Sequence, residues 1–220
     1  HELRTPLTSI LAFARILRGT DSLDDKTRSA VEEIEANATL LLNMVNNILT
    51  ISKAEAHKNE LVVEPVDFVD LVGFIKKSLE PVAKNKGIAL TAKTAPDVPL
   101  SMADWEKLRR IVENLVDNAI KYTPAGSHIS LSAVRAGPFV QVEVSDDGPG
   151  IADSAKQKIF DMFYTADNSR GDGRRGLGLG LSLCRSIITA HGGEISVQDH
   201  QPHGSVFRFT LRASEVKMYE

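Results

Sequence analysis

The chain opens on His1-Glu2-Leu3-Arg4-Thr5-Pro6. An imidazole attacks phosphorus readily when a neighbour takes its proton, and Glu2 is adjacent. His1 precedes the apolar position Leu3 by two residues, about 200° around a helix, which turns it toward solvent. Thr5 comes one helical turn later on the same face, where its hydroxyl can orient a water. Pro6 is expected to kink the helix. A lone surface histidine at a helix start is usually unremarkable; the hexapeptide as a whole is more specific.

A second cluster lies in Glu113-Asn114-Leu115-Val116-Asp117-Asn118-Ala119-Ile120-Lys121-Tyr122-Thr123. Asn114, Asn118, Lys121 and Tyr122 follow the spacing i, i+4, i+7, i+8, which is one helix face, while Ile111, Leu115 and Ala119 line another. Carboxamides need polar partners. They suit phosphate oxygens and a hydrated Mg²⁺, which takes oxygen ligands and keeps several waters. A plain polar helix face is the alternative. Asp146-Asp147-Gly148-Pro149-Gly150 follows a run of β character. A carboxylate at a strand end accepts from an exocyclic amine, and Gly148 and Gly150 let backbone approach a flat ring. The same residues also make an ordinary acidic turn. Gly176-Leu177-Gly178-Leu179-Gly180 runs into a helix start, a cradle for phosphate, although it has neither the Gly-Lys-Ser/Thr of a P-loop nor the setting of a dinucleotide fingerprint. Its bland reading is a hinge. Ile159 to Tyr164 reads partly as packing, with Phe160 and Phe163 anchoring the base of a loop.

These groups need positioning elements. Leu3, Leu7, Ile10, Ala14 and Leu17, then Val31, Ile34, Ala38, Leu41, Val45 and Ile48, repeat with a period of 3.5, the seam of a coiled coil. Between them lies a turn, Gly19 to Asp25, whose acidic residues suit a helix N-terminus. The result is an antiparallel helical hairpin that cannot bury both seams alone, so a homodimer forming a four-helix bundle follows. Beyond residue 60 the pattern changes. A short β-like run at 61–63 precedes a helix over 67–84, ended at Gly87, and a strand over 88–91. Residues 96–99 read as a loop, and a strong amphipathic helix follows over 104–122. Period-2 runs over 129–134 and 139–144 flank Ala136-Gly137-Pro138, a hairpin. Residues 164–178 read as a long mobile loop, 179–190 as a helix, and 195–197 with 206–211 as a final hairpin. The fold class is a helical hairpin, residues 1–58, followed by an α/β sandwich, residues 59–220.

Composition bounds the function. With 220 residues the chain makes one or two domains. A net charge of −3 gives no basic surplus for nucleic acid. The longest apolar run, the five residues Ile10 to Ala14, is far short of a membrane span, so no membrane contact by this fragment is expected. Cys184 is the only cysteine, which rules out an internal disulfide and suits a reducing compartment. The abrupt start on a structured motif suggests a piece of a longer protein.

Taken together, the motifs resemble the histidine kinases of two-component signalling, with all five family boxes in family order across essentially the whole chain. The resemblance implies a dimerisation and phosphotransfer hairpin followed by a Bergerat-type ATP-binding sandwich. It implies that His1 accepts the γ-phosphoryl group of ATP, that Glu2 assists as base, and that Thr5 serves dephosphorylation of a response regulator receiver domain. It assigns Mg²⁺ to Asn118 with Asn114 beside it, phosphate and lid contacts to Lys121 and Tyr122, the adenine amine to Asp146, and nucleotide binding to Gly148, Gly150, Gly176, Gly178 and Gly180. A cytoplasmic place within a membrane-anchored sensor is implied as well. Two departures matter. Hydrolytic relatives carry a Glu four residues before the metal Asn, where this chain has Asn114, which favours transfer over hydrolysis. Thr165 replaces an Arg frequent after the Phe-Tyr pair, leaving the lid charge to Arg170, Arg174 or Arg175. The stretch from residue 162 through 184, with the ending 207–211, is similar to potassium-responsive sensor kinases. The competing readings are a non-catalytic nucleotide-binding module and an ATP-hydrolysing Bergerat enzyme.

Overall fold

The computed structural model describes residues 4–20, 23–56, 61–165 and 178–214. The chain divides into two compact units, His1–Ser52 and Lys53–Glu220.

The first unit is built on α1 (Arg4–Arg18) and α2 (Asp25–Ala56). Asp24 begins α2 by accepting the Thr27 N–H at 2.7 Å, and these Thr27 hydrogen bonds hold its carboxyl below the ordinary value. Arg4 donates to Asn46 at 2.9 Å, while Arg15 and Arg18 near the other end of α1 both pair with Glu35, so the helices run antiparallel. α1 is continuous helix through Pro6 among the described residues. The seam differs from expectation. Leu11, Ala14, Val31 and Ala38 are buried, whereas Ile10, Leu17, Ile34, Leu41 and Ile48 are exposed. α1 carries two apolar stripes, one closing the hairpin and one facing outward, and a strict 3.5 period merges them.

In the second unit, β1 (Glu64–Val66) pairs antiparallel with β3 (Ser101–Ala103). The main sheet contains β2 (Ala89–Thr94), β4 (His128–Ala136), β5 (Phe139–Asp146), β6 (Glu194–Asp199) and β7 (Ser205–Arg212), ordered β2-β4-β5-β7-β6. β2 and β4 are parallel and the other pairs antiparallel. The helices α3 (Phe68–Asn85), α4 (Trp105–Tyr122) and α6 (Gly180–Ala190) cover one sheet face. A short α5 (Asp153–Lys156) and a 3-10 turn (Lys158–Phe160) precede the segment leading to α6.

Pattern explains placement. On β5, Val140, Val142 and Val144 are buried and their neighbours are not, the period-2 alternation of a half-covered strand. α4 buries Leu108, Ile111, Val112, Leu115, Val116, Ala119 and Ile120 against the sheet, each large side chain contributing about 1.5–3 kcal/mol. α3 and α4 both start on an aspartate cap: Asp67 accepts from Val69 N–H and Asp104 from Lys107 N–H. The β-like run at 61–63 is displaced, since the strand begins at Glu64, and β3, α5 and the 3-10 turn are additions the periodicity does not show.

Candidate functional site

Asp146 is the last residue of β5 and keeps the inward alternation of Val140, Val142 and Val144, so the strand carries a carboxylate into the interior. Burial pushes its carboxyl above the ordinary carboxylate value, against the pull of the backbone N–H groups of Gly148 and Ser205 and of nearby His200. The Gly148 N–H donates to its Oδ1 at 2.8 Å. A Cβ on Gly148 would sit 2.6 Å from that oxygen and 3.4 Å from Thr123 Oγ1, so only glycine fits this close contact.

The turn after Asp146 is clasped by the β6–β7 connection. His200 Nδ1 lies 3.0 Å from the Asp146 carbonyl and 3.5 Å from Asp147 Oδ1, and His203 Nδ1 lies 3.3 Å from the Gly148 carbonyl. A Cβ on Gly204 would come within 2.8 Å of the Asp146 carbonyl carbon and 3.1 Å of the Asp147 Cα. Asp147 in turn accepts the His128 N–H at 3.0 Å.

Thr123, which follows the last residue of α4, lies beside this turn. Asn114, Asn118 and Lys121 are half-buried and Tyr122 is exposed, while Ile111, Leu115 and Ala119 are buried, as the spacing requires. Lys121 Nζ lies 5.1 Å from the Tyr122 ring centre. The Lys86 ammonium donates to the carbonyls of Ile120 and Lys121, holding the C-terminal end of α4. Gly180, the first residue of α6, lies against Asn114, whose carboxamide atoms would be 3.9 Å from a Cβ there. Asn114 also hydrogen-bonds the Cys184 thiol, whose pKa burial pushes up to about 12, too high for a reactive thiolate. Glu113 pairs with Arg109 at 2.6 Å. At the far end of α4, Asp104 receives Lys107 and the Val62 N–H, and its backbone N–H donates to His191 Nε2 at 3.0 Å.

The Phe163 N–H donates to the Gly178 carbonyl at 3.0 Å, joining the two sides of the glycine-rich segment. Phe160 is buried edge-on to Phe207 with ring centres 6.3 Å apart, but the Phe163 side chain is 60% exposed, and its φ of 63° lies in the left-handed region. Phe163 therefore anchors the neck through its backbone, not its ring.

The structure brings Asp146 and Gly148 together with Thr123 at the end of α4, Gly150 against Gly204, and Asn114 together with Gly180. Thr5 lies on the exposed side of α1. His1, Glu2, Gly176 and the arginines 170, 174 and 175 lie outside the described residues. Sequence reasoning missed Thr123, Lys86, His200 and His203. Only Thr123 left a trace there, as a hydroxyl next to Tyr122. Among the described residues, no three His, Cys, Asp or Glu gather to hold a metal. A cation at this site would draw on carboxamide and ligand oxygens.

Residues 1–57 match the His Kinase A (phospho-acceptor) domain, and residues 103–215 match the family of histidine kinase-, DNA gyrase B- and HSP90-like ATPases. An uncharacterized sensor-like histidine kinase of Rhizobium meliloti is 35% identical over 96% of this chain and 41% of its own length. The aerobic respiration control sensor protein ArcB of Escherichia coli is 34% identical over 98% of this chain and 28% of its own. The chain thus spans less than half of either relative. Among solved structures, full-length ShkA in complex with AMPPNP superposes with a TM-score of 0.83 at 33% identity, covering 99% of this chain and 45% of that one. The Acinetobacter baumannii histidine kinase AdeS gives 0.69 at 25% identity, covering 98% of both.

Proposed function

The chain belongs to the histidine kinases of two-component signalling, and on that premise we propose that it moves the γ-phosphoryl group of ATP to His1 and from there to an aspartate of a response regulator receiver domain. The observation that carries the reading is the buried Asp146 carboxylate at the end of β5, packed against Gly148 where no side chain fits. A buried acceptor at a strand end, followed by a glycine-containing turn, suits the amine of an adenine ring. Gly148 and Gly150 admit the ring. Asn118 holds Mg²⁺ through its carboxamide oxygen, with Asn114 beside it. Lys121 and Tyr122 meet the phosphates, and Gly176, Gly178 and Gly180 offer backbone N–H groups to them. Mg²⁺, when bound, neutralises phosphate charge, and the rest of the catalysis is positioning.

In the transfer, one ring nitrogen of neutral His1 attacks the γ-phosphorus. The bond to the bridging oxygen breaks, and ADP leaves with its electron pair. Glu2 takes the proton from the other ring nitrogen. A carboxylate oxygen of the receiver aspartate then attacks the phosphorus and the P–N bond breaks, leaving the electron pair on that ring nitrogen while the proton held by Glu2 returns to the other. Thr5 orients the water that later dephosphorylates the regulator. With Asn114 where hydrolytic relatives have a base, transfer outruns hydrolysis.

The outward stripe of Ile10, Phe13, Leu17, Ile34, Leu41 and Ile48 is exposed on a single hairpin, which supports a homodimer through this unit. No described helix is long and apolar enough to cross a membrane. We place the chain in the cytoplasmic part of a sensor, without nucleic acid as partner. The potassium-responsive subfamily has no support among the relatives named above, and the proposal stays with sensor histidine kinases in general.

ATP radiolabelled on its γ-phosphate tests the reading. Acid-labile, base-stable label on the protein, lost in His1→Gln while ATP binding persists, is the expected result. An unlabelled protein that binds ATP would indicate a nucleotide-binding module. Free phosphate without labelled protein would indicate a hydrolase.

A further inference from the structure

The connection between β6 and β7 closes through its main chain. Asp199 pairs with Ser205 in the strand register, and the His200 N–H donates to the Gly204 carbonyl at 3.1 Å. The His200 imidazole is directed elsewhere, across to the end of β5. Its Nδ1 lies 3.0 Å from the Asp146 carbonyl and 3.5 Å from Asp147 Oδ1. A carbonyl oxygen only accepts, so Nδ1 carries a proton. His203 makes the same kind of bond to the Gly148 carbonyl, at 3.3 Å. Asp146 is thereby held twice by one connection: its carbonyl receives the His200 imidazole, and its carboxyl receives the backbone N–H of Ser205.

An asparagine, common in turns, has an amide nitrogen at the reach of Nδ1 and would supply the same bond. What histidine adds is a charge that changes between about pH 5 and 8. With Nδ1 already protonated, a second proton goes to Nε2. It leaves the bond to the Asp146 carbonyl in place and makes it charge-assisted. The charged and titratable groups around the ring are Asp146 and Asp147 from the end of β5, and His128 at the start of β4, whose N–H holds Asp147 Oδ2. On its own connection they are His203 and the Asp199–Lys156 pair. Burial works against the Asp146 charge, and a base closing over the carboxylate removes more water from it. A cation on the carbonyl side of the same residue offsets that cost.

We propose that His200 is a positioning residue for the Asp146 carboxylate: its Nδ1–H fixes the strand end that presents the carboxylate to the adenine amine, and protonation at Nε2 tightens that hold, so that adenine is bound more strongly in mild acid. The proposal rests on the adenine-nucleotide reading above and adds a pH-dependent support to it. His200 acts through Asp146 and does not itself touch the nucleotide.

The test is calorimetric titration of the whole chain with ATP and with purine riboside triphosphate, which lacks the amine, at about pH 8 and about pH 6. Both nucleotides carry the same triphosphate, so its own titration cancels between them. At the higher pH, His200→Leu weakens ATP by roughly 3- to 10-fold, the range of a neutral hydrogen bond. It leaves the amine-free nucleotide within about twofold of the parent, and His200→Asn restores ATP affinity to within about twofold. On going to the lower pH, the parent's preference for ATP over the amine-free nucleotide grows by roughly 1.5- to 5-fold, the range of a part-exposed charge pair. His200→Asn and Asp146→Asn show no such growth. If His200→Leu binds ATP like the parent, or the parent's preference does not change with pH, while Asp146→Asn loses ATP, the proposal is overturned and the Asp146 reading stands. If Asp146→Asn keeps full ATP affinity, the nucleobase reading itself fails. Equal losses of both nucleotides in His200→Leu, or a lower melting temperature with unchanged preference, assign the imidazole to the fold and overturn the proposal. An equal gain in acid for both nucleotides assigns the charge to attraction for phosphate and overturns it as well.

Discussion

The glycines of the second glycine-rich box are not equivalent, and alanine substitution separates them. Gly178 has φ of +65°, and a Cβ there would lie 2.6 Å from the Phe163 carbonyl carbon and 2.7 Å from the Tyr164 nitrogen. Both are backbone atoms that cannot step aside. Left-handed backbone costs an L-residue about 1–2 kcal/mol, and overpacking adds about 1–3 kcal/mol. Gly178→Ala should therefore lose about 2–5 kcal/mol, or roughly 4–20 °C of melting temperature for a chain of this size. Gly180 is two residues away, but a Cβ there meets nothing closer than the Asn114 carboxamide at 3.9 Å, and its φ is outside the left-handed range. Gly180→Ala exchanges a poor helix residue for a good one and should be neutral or stabilising by up to about 1 kcal/mol. Trp105, the single tryptophan, starts α4, so its fluorescence follows unfolding of the second unit specifically. If Gly178→Ala melts with the parent, or Gly180→Ala falls equally far, the neck between Phe163 and Gly178 is not built as described.

Thr5→Ala should impair dephosphorylation of the phosphorylated receiver more than autophosphorylation; equal losses would mean damage to α1 instead. His191 yields a pH dependence. Burial lowers its pKa below the ordinary 6.5, outweighing the Ile187 carbonyl and the Asp104 charge, and its Nε2 must stay unprotonated to accept from Asp104 N–H. As pH falls below the unfolded value the unfolded chain gains a proton that the folded chain refuses, so stability is lost from there down through the lowered folded value. Thermal melts at about pH 7.5 and 5.5, either side of that ordinary value, should differ more for the parent than for His191→Gln; the same difference in both would clear His191. Phe209→Ala, at a fully buried position on β7, should cost about 3–5 kcal/mol by denaturant titration.

Much of the site was legible because its parts are local in sequence. The face shared by Asn118 and Lys121 is a helix period, and the inward place of Asp146 follows from strand alternation that Val140, Val142 and Val144 announce. What sequence could not give are encounters between distant segments. Asn114 meets Gly180, Lys86 caps α4, and His200 reaches the Asp146 carbonyl only because the sheet order brings them together. Thr123 reads as one more polar residue at a helix end until its burial is known. β3 is too short for a period, and the two stripes of α1 differ by one residue, Leu11 against Ile10, which a period of 3.5 cannot separate from 3.6 over so short a helix.

The fit of Gly204 against Asp146 and Asp147 bears on where this chain tolerates insertion. Surface hairpin turns usually accept added residues, affinity tags or labels. The turn between β4 and β5 should, since a Cβ on Gly137 would meet nothing within 4 Å. The turn between β6 and β7 is equally solvent-facing at Gln201 and Pro202, yet its last glycine is keyed into the backbone of Asp146 and Asp147. Lengthening it by even one residue would shift that key, so divergence in this loop should proceed by side-chain exchange at constant length, and a probe meant to leave nucleotide binding intact belongs at Gly137.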